Sequence, residues 1–560
     1  MADAYFDIGD YRRQVTTNSP EAQLWFDRGL LWTYIFNPEE AVRCFEKAVE
    51  YDPQCAMAHW GIAFASGPNY NKAWRFFDPE DMARVLDVAH GALQRAQEAA
   101  VNATAFERDL IAALAPRFPA ASTRDPEAFH ALNLAYAEAM RKVYHTYPED
   151  LDAAALFGDA LMCVSPRALW DLDSGEPIGY GTVEARGVIE DALDRPGGHR
   201  HPVLNHLYIH LMEMSPYPEV ALRAADDLRR LSPDGSHLAH MSTHIDNACG
   251  DWRRVVDSNI DAAAADDRYF ARVETPGAWC TYYRAHNLMV GTYGAMMAGK
   301  SRVALDLAHR LNRVITPDFL NTSQPPMADF CESAGAMLPH ALIRFGRWTD
   351  IIALDMPEDQ YLYCSTTTMI HYAKGIAYSA LRRIPEAEAA RDQFLEAAAR
   401  VPESRLNNLA IKQVDVQKVA AKMLEGELEY RKGNIDLAFD LLRQGIALED
   451  ALPYGDPPGW LQPIRHAYSA LSIEQGRLEE AVAAYRIDLG LTRKLGRRRI
   501  RPNNVWSLHG LHECLTQLGR HDEARDIALQ CDVAVASADV KIAASCFCRL
   551  TAFEGGRSTC

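Results

Sequence analysis

Seven of the chain's 19 histidines, His199, His201, His206, His210, His237, His240 and His244, fall between residues 199 and 244. His206 and His210 are four residues apart, as are His240 and His244, so on a helix each pair projects from one face. An i, i+4 histidine pair is the geometry with which helical metalloenzymes offer two ligands to zinc. At about 100° per residue, His237 falls about 60° from His240 and Glu213 falls close to the direction of His206, so both join the candidate ligand set. Imidazole suits Zn, Cu, Fe and Ni, and three or four nitrogen donors favour copper or zinc. Two histidines with Glu213 would instead make a non-haem iron triad or a hydrolytic zinc site. The expectation is one transition-metal ion, Cu or Zn, with Fe as the carboxylate-dependent case. The competing reading is a hydrogen-bonded histidine cluster, structural or binding an uncharged polar ligand. His199 and His201 follow Pro196, Gly197 and Gly198 and read as loop residues outside the set.

Downstream, the run Tyr282-Tyr283-Arg284-Ala285-His286-Asn287 puts a phenol and an imidazole on one helix face, which makes Tyr283 and His286 the candidate catalytic pair. Trp170, Tyr208, His340 and His371 are candidates for lining a substrate groove. No glycine-rich phosphate loop is present, and no serine, histidine and aspartate assemble into a triad by spacing.

Short amphipathic helices must carry these side chains, and residues 22 to 55 show their pattern. With Ala22 as position 1, Trp25, Gly29, Trp32, Ala41, Phe45, Ala48 and Pro53 fall at positions 4, 8, 11, 20, 24, 27 and 32. This closely resembles the tetratricopeptide consensus, in which small residues let two helices approach and large ones fill the gaps between repeats. Weaker copies keep the 12-residue step, from Gly375 to Ala387 and from Gly426 to Ala438. Turns recur as Gly250-Asp251-Trp252, Gly346-Arg347-Trp348, Gly433-Asn434-Ile435, Gly476-Arg477-Leu478 and Gly519-Arg520-His521, with glycine ending the preceding helix. The two histidine pairs are 34 residues apart, the length of one such repeat, which predicts equivalent positions on neighbouring helices.

The expected fold is therefore all-α, tetratricopeptide-type antiparallel helix pairs in a right-handed superhelix, an α-solenoid with a concave groove. Residues 164–182, 315–328 and 452–463 break the helical rhythm. The expected organisation is an N-terminal array over 1–163, a lid-like loop and connecting helix over 164–200, a central histidine-bearing array over 201–350 and a C-terminal array over 351–560.

The 560 residues are 48 % hydrophobic and 24 % charged, with a net charge of −18. That sign argues against nucleic acid and anionic membrane as partners. The start Met1-Ala2-Asp3-Ala4-Tyr5-Phe6-Asp7 lacks the basic, apolar character of a secretory signal, so a cytoplasmic location is expected. The 12 cysteines are scattered and read as inert thiols. The basic run Arg493, Lys494, Arg497, Arg498, Arg499 and Arg501 reads as a solvated helix end.

The stretch Asn205-His206-Leu207-Tyr208-Ile209-His210-Leu211-Met212-Glu213, then Ser215-Pro216-Tyr217-Pro218, then His237-Leu238-Ala239-His240-Met241-Ser242-Thr243-His244-Ile245 is more specific than a generic repeat. It resembles a family of bacterial and fungal tetratricopeptide-repeat proteins carrying H-Y-x-I-H-x-x-E-x-S-P-x-P followed by G-H-L-x-H-M-x-x-H-I. The chain departs from that pattern at Ser236 and Ser242 but keeps all five motif histidines. A remoter similarity is to the tetratricopeptide-38-like proteins. The resemblance implies the fold and a candidate metal centre, and no reaction. Two functions are therefore expected as rivals. One is a metal-dependent enzyme, an oxidoreductase acting on a small molecule in the groove. The other is a scaffold whose groove binds a peptide or partner protein. Apolar faces at the ends of such arrays suit either a capping helix or a homodimer.

Overall fold

The computed structural model describes residues 5–119 and 126–553, with the side chains of residues 126 and 127 left aside, so Met1–Ala4 of the N-terminal reading lie outside the described residues. Helices dominate, and among the described residues the strands amount to one antiparallel ladder pairing Leu406–Asn407 with Ile411–Lys412. The all-α, helix-pair expectation is borne out. None of the described helices is long and apolar enough to cross a membrane.

The chain forms two compact units: Met1–Ile245 with Asp261–Cys280, and Asp246–Ile260 with Thr281–Cys560. These boundaries cut the chain elsewhere than the breaks in helical rhythm suggested. The breaks themselves are real: the chain is non-helical between Met162 and Thr182 and between Asp450 and Ile464, and only one short helix, Pro317–Leu320, interrupts the stretch between Val314 and Met327.

In the first unit, α1 (Pro20–Tyr34), α2 (Pro38–Tyr51) and α3 (Ala56–Ser66) form the opening repeat. Ser19 and Asn37 cap α1 and α2, each accepting from a backbone N–H of the first turn, and each helix opens on a proline, which has no N–H to leave unsatisfied there. The Phe45 ring of α2 lies between two glycines. A Cβ at Gly29 would meet it at 2.7 Å and one at Gly61 at 2.5 Å. This steric requirement is the physical content of the consensus spacing. Gly61→Ala is accordingly expected to cost about 1–3 kcal/mol through overpacking, measured by chemical denaturation; an unchanged or stabilised variant would contradict the wedge.

In the second unit the helices pair along the chain: Cys364–Ala380 with Ile384–Ala398, Gln413–Lys432 with Ile435–Asp450, Ile464–Glu474 with Leu478–Asp488, and Val505–Gln517 with His521–Ser537. Gly433 and Gly476 end their helices at φ +88° and +70°, the left-handed conformation that spares a Cβ clash. The core gathers Tyr372, Phe394, Phe439, Leu442 and Trp460, all fully buried. The basic run is solvated at Arg493 and Lys494, but its last member departs from the expectation. Arg501 is buried and paired with Glu449 at 2.6 Å and Asp488 at 3.0 Å, because two buried carboxylates need a cation beside them. The sulfurs of Cys546 and Cys548 lie side by side.

Glu427 of this unit is buried, and burial pushes its carboxyl up to about 7 although Arg431 and Arg344 pull the other way. Between the ordinary glutamate range and about 7 the folded chain holds a proton that the unfolded chain has lost. Stability is therefore full below that window and falls as pH rises through it, by up to about 3 kcal/mol. Glu427→Gln, neutral throughout, is expected to raise Tm relative to the native chain at pH 8 and not at pH 4. Equal shifts at both pH values would refute the assignment.

Candidate metal centre

The centre is built from two helices of the first unit. Helix Pro202–Met212 carries His206 and His210, with Glu213 at its C-terminal cap. Helix Ser236–Cys249 carries His237, His240 and His244. Both helices begin 34 residues apart, so the two histidine pairs occupy matching positions, as the repeat length predicts. All five imidazoles and Glu213 are between 0 % and 6 % exposed.

The five rings form a closed circuit. Centroid separations are 5.0 Å from His206 to His210, 5.6 Å from His210 to His244, 5.0 Å from His244 to His240, 5.9 Å from His240 to His237 and 5.1 Å from His237 to His206. One ligand atom from each of His206, His210 and His237 lies within 4.8 Å of the other two.

The hydrogen bonds behind the rings decide which nitrogen is available. His206 Nδ1 donates to the Tyr34 carbonyl at 2.9 Å, and His210 Nδ1 donates to Glu213 Oε1 at 2.9 Å. A carbonyl and a carboxylate only accept, so the proton sits on Nδ1 and the Nε2 lone pair is bare in each ring. Both Nε2 atoms are buried without a hydrogen-bond partner. His244 Nδ1 donates to Glu213 Oε2 at 2.5 Å, which likewise turns its Nε2 inward, 3.1 Å from His240 Nε2. His237 Nε2 meets the Asn71 amide at 3.3 Å. Rings fixed in this way by a carbonyl and a carboxylate are the usual arrangement around a histidine-bound metal.

The electrostatics agree. Burial, reinforced by His210, holds His206 well below its ordinary value, and burial brings His210 down to about 4. Burial alone would raise Glu213, but His244 and His210 beside it hold the carboxylate well below its usual range. His206 and His210 are therefore held toward the neutral form and Glu213 toward the charged one. That is the protonation state a metal requires of its ligands. Glu213, counted among the ligands from its wheel position, stands behind two of them instead, because the helix ends one turn after His210 and leaves its carboxylate beside both Nδ1 atoms.

Phe36 and Tyr70 close the site from the side. The Phe36 ring lies 4.2 Å from His206 and 5.7 Å from His237, and Tyr70 lies 4.7 Å from His210. Phe36 sits in the turn between α1 and α2 at φ +64°, a conformation that costs a bulky residue about 1–2 kcal/mol. Strain of this kind persists where surrounding structure holds it, often at functional sites. Phe36 also lines, with Thr33, Tyr34, Phe64, Asn69 and Asp159, a small, mainly apolar pocket.

Three other residues of the first unit, His201, Tyr208 and Trp170, are engaged outside the ring. His201 is buried against Asp152 at 3.1 Å and takes no part in the ring. Tyr208 shares the first helix but donates to Glu190 at 2.6 Å. The Trp170 indole donates to the Leu211 carbonyl at 2.7 Å, so the 164–182 segment is pinned beside the histidine helix where a lid was expected. Tyr283, His286, His340 and His371 belong to the second unit. There the Tyr282 and His286 rings stack 6.3 Å apart, Tyr283 is buried, His340 packs edge-on against Trp460 at 5.0 Å, and burial lowers His371. Sequence reasoning passed over Phe36, Asn71 and the Tyr34 carbonyl. A phenylalanine directly before the Asn37-Pro38 helix start, where glycine is the usual turn residue, was the one signal available.

A family model for the tetratricopeptide repeat matches residues 22–55. No curated protein matches the chain. Among solved structures, yeast Tom70 aligns at 12 % identity over 95 % of this chain and 94 % of its own, with a TM-score of 0.27. The Cut9 and Hcn1 assembly of the APC/C gives 12 % over 93 % and 88 %, at 0.31, and IFIT1 gives 11 % over 91 % and 96 %, at 0.32. Scores this low carry no functional information. Residues 22–55 are a tetratricopeptide repeat, set in a chain of helix pairs of the same type.

Proposed function

We propose that the protein is a metal-dependent enzyme, an oxidoreductase acting on a small molecule, whose metal is held by the histidine ring of the first unit. One observation carries the reading: His206 and His210 each present a buried, unpartnered Nε2 whose ring is fixed from behind by an acceptor. Leaving two such nitrogens dry costs about 1–3 kcal/mol each, and a metal ion removes that cost.

His206, His210 and His237 would hold the ion, and Glu213, Tyr34 and Asn71 would aim the rings. An all-imidazole donor set suits copper or zinc. Glu213 is engaged by two imidazoles and is not free to serve as a hydrolytic base. Phe36 and Tyr70 surround the ring with aromatic surface and limit water. These features favour electron transfer over water activation, and the metal when bound would supply the electron-accepting centre.

The test is elemental analysis of protein prepared without a histidine tag, beside His206→Ala/His210→Ala, with circular dichroism on both. Stoichiometric copper, lost from a folded double variant, supports the reading, whereas zinc, which has no redox chemistry, would keep the metal site and overturn the electron-accepting role. A native chain that takes up neither ion would overturn it. The second reading, a scaffold that binds a peptide or partner protein, is favoured by the repeat at 22–55 and would then stand, with the histidines as a buried polar cluster.

A further inference from the structure

We propose that Cys546, Cys548 and Glu427 of the second unit form a two-electron redox site, a dithiol that a small hydroperoxide oxidises to a disulfide and a thiol reductant restores. It goes beyond the metal reading and does not depend on it, since the histidine ring belongs to the first unit.

Helix Gln413–Lys432 carries Glu427, and the segment after helix His521–Ser537 brings Cys546 and Cys548 beside it. One sulfur from each cysteine and one Glu427 oxygen lie within 4.8 Å of one another, and all three residues are buried. The segment is held in place from several sides. Arg344 donates to the Ser545 carbonyl at 3.2 Å, Arg431 donates to the Cys548 carbonyl, and Ser545 Oγ donates to the His466 carbonyl at 2.8 Å. The Cα atoms of the two cysteines are 5.2 Å apart, inside the roughly 4.4–6.8 Å that a disulfide spans. A bridge between residues two apart closes so short a loop that it removes little entropy from the unfolded chain. Such a pair contributes little as a staple and is suited to opening and closing.

The Glu427 carboxyl meets no hydrogen-bond donor among the described residues; burial pushes it up to about 7, and Arg431 and Arg344 act on it through charge alone. Titrating near neutrality beside two sulfurs, it can take a proton from a thiol and return it to a leaving group. The two cysteines differ. The Cys548 N–H donates to Cys546 Sγ at 3.1 Å, which favours the Cys546 thiolate. Cys546 is 7 % exposed and Cys548 1 %, so Cys546 meets the oxidant first and only a small oxidant reaches it.

In the first step Glu427 takes the Cys546 proton and the sulfur attacks the outer oxygen of the hydroperoxide. The O–O bond breaks, the departing alkoxide or hydroxide leaves with the proton from Glu427, and Cys546 becomes a sulfenic acid. Glu427 then takes the Cys548 proton, and the Cys548 sulfur attacks Cys546 Sγ. The S–O bond breaks, and hydroxide leaves as water with that proton. Two thiols lose two electrons in all, and the hydroperoxide becomes an alcohol and a water, or two waters when it is hydrogen peroxide.

The experiment takes full-length protein, reduced with a phosphine that is then removed without oxygen, and adds one equivalent of hydrogen peroxide. After alkylation, mass spectrometry reads the tryptic peptide from Ile542 to Arg549, which holds both cysteines. In the native chain both cysteines are expected to escape alkylation together, at the mass of the dithiol less two hydrogens, and to become alkylatable again on renewed reduction. Cys548→Ser is expected to stop at a sulfenic acid on Cys546 that dimedone traps, and Cys546→Ser to give none at Cys548. Glu427→Gln is expected to be oxidised at least about tenfold more slowly at neutral pH, and circular dichroism checks each fold. Two alkylatable thiols in the native chain after peroxide, or a bridge that phosphine cannot open in the folded chain, overturns the redox site whether or not the variants fold. Glu427→Gln oxidised at the native rate overturns the part given to the carboxyl. A metal ion bound by the native chain and lost when both cysteines are replaced overturns the redox couple in favour of a thiolate metal site.

Discussion

Glu213→Gln is expected to weaken metal binding by about 100-fold or more while leaving the helices intact, measured as Kd by chelator competition. The carboxylate accepts from His210 Nδ1 and His244 Nδ1 on separate oxygens. A glutamine has one oxygen, so it satisfies one of these donors and turns its own N–H toward the other. That second imidazole must then move its proton to Nε2, which removes the lone pair that would face the ion. Losing one supporting partner typically costs 10–100-fold in affinity, and here the change disables a ligand outright. Glu213→Gln binding metal as tightly as the native chain would show that the carboxylate does not set the tautomers.

Removing Asp152 is expected to be the most destabilising single change in the first unit. Asp152 is buried and accepts from Tyr34 and from Tyr11 at 2.7 Å, pairs with Arg13 at 2.8 Å and meets His201 at 3.1 Å. Burial opposes its charge, but His201 and Arg13 hold its carboxyl well below the usual range. The folded state therefore keeps Asp152 ionised where the unfolded chain would protonate it. The resulting stability is full above the ordinary aspartate range and is lost as pH falls below it. Asp152→Ala strands Arg13 and His201, and a broken buried pair costs about 3–5 kcal/mol. Because Tyr34 is anchored by the same carboxylate and its carbonyl holds His206, metal affinity should fall together with stability. A loss under 1 kcal/mol in denaturant unfolding would contradict this account.

The repeat was legible because its requirements are steric and local. Gly29 and Phe45 recur at fixed offsets, and the structure shows the ring between Gly29 and Gly61 that makes those offsets necessary. The histidine pairs were legible from two periods, four for a helix face and 34 for a repeat. Phe36, Asn71 and the Tyr34 carbonyl were not, since they reach the ring from more than 160 residues away and no periodicity connects them to it. The part played by Glu213 was half legible. A helical wheel gives the direction of a side chain and cannot tell which ring nitrogen it will meet. Arg501 was misread for a related reason: a basic run looks solvated until the buried Glu449 and Asp488 that require it come into view.

The contact between the Tyr34 carbonyl and His206 bears on the order in which the molecule is made. Synthesis runs from the N-terminus and domains fold as units as they emerge. The acceptor for His206 is in place early, but the last ring, His244, appears only after about two-fifths of the 560 residues have been joined. A nascent chain stopped short of His244 carries an incomplete ring, while one extended just past it already has every histidine and Glu213. Metal loading during translation would thus begin at a definite chain length, well before the C-terminal helices exist.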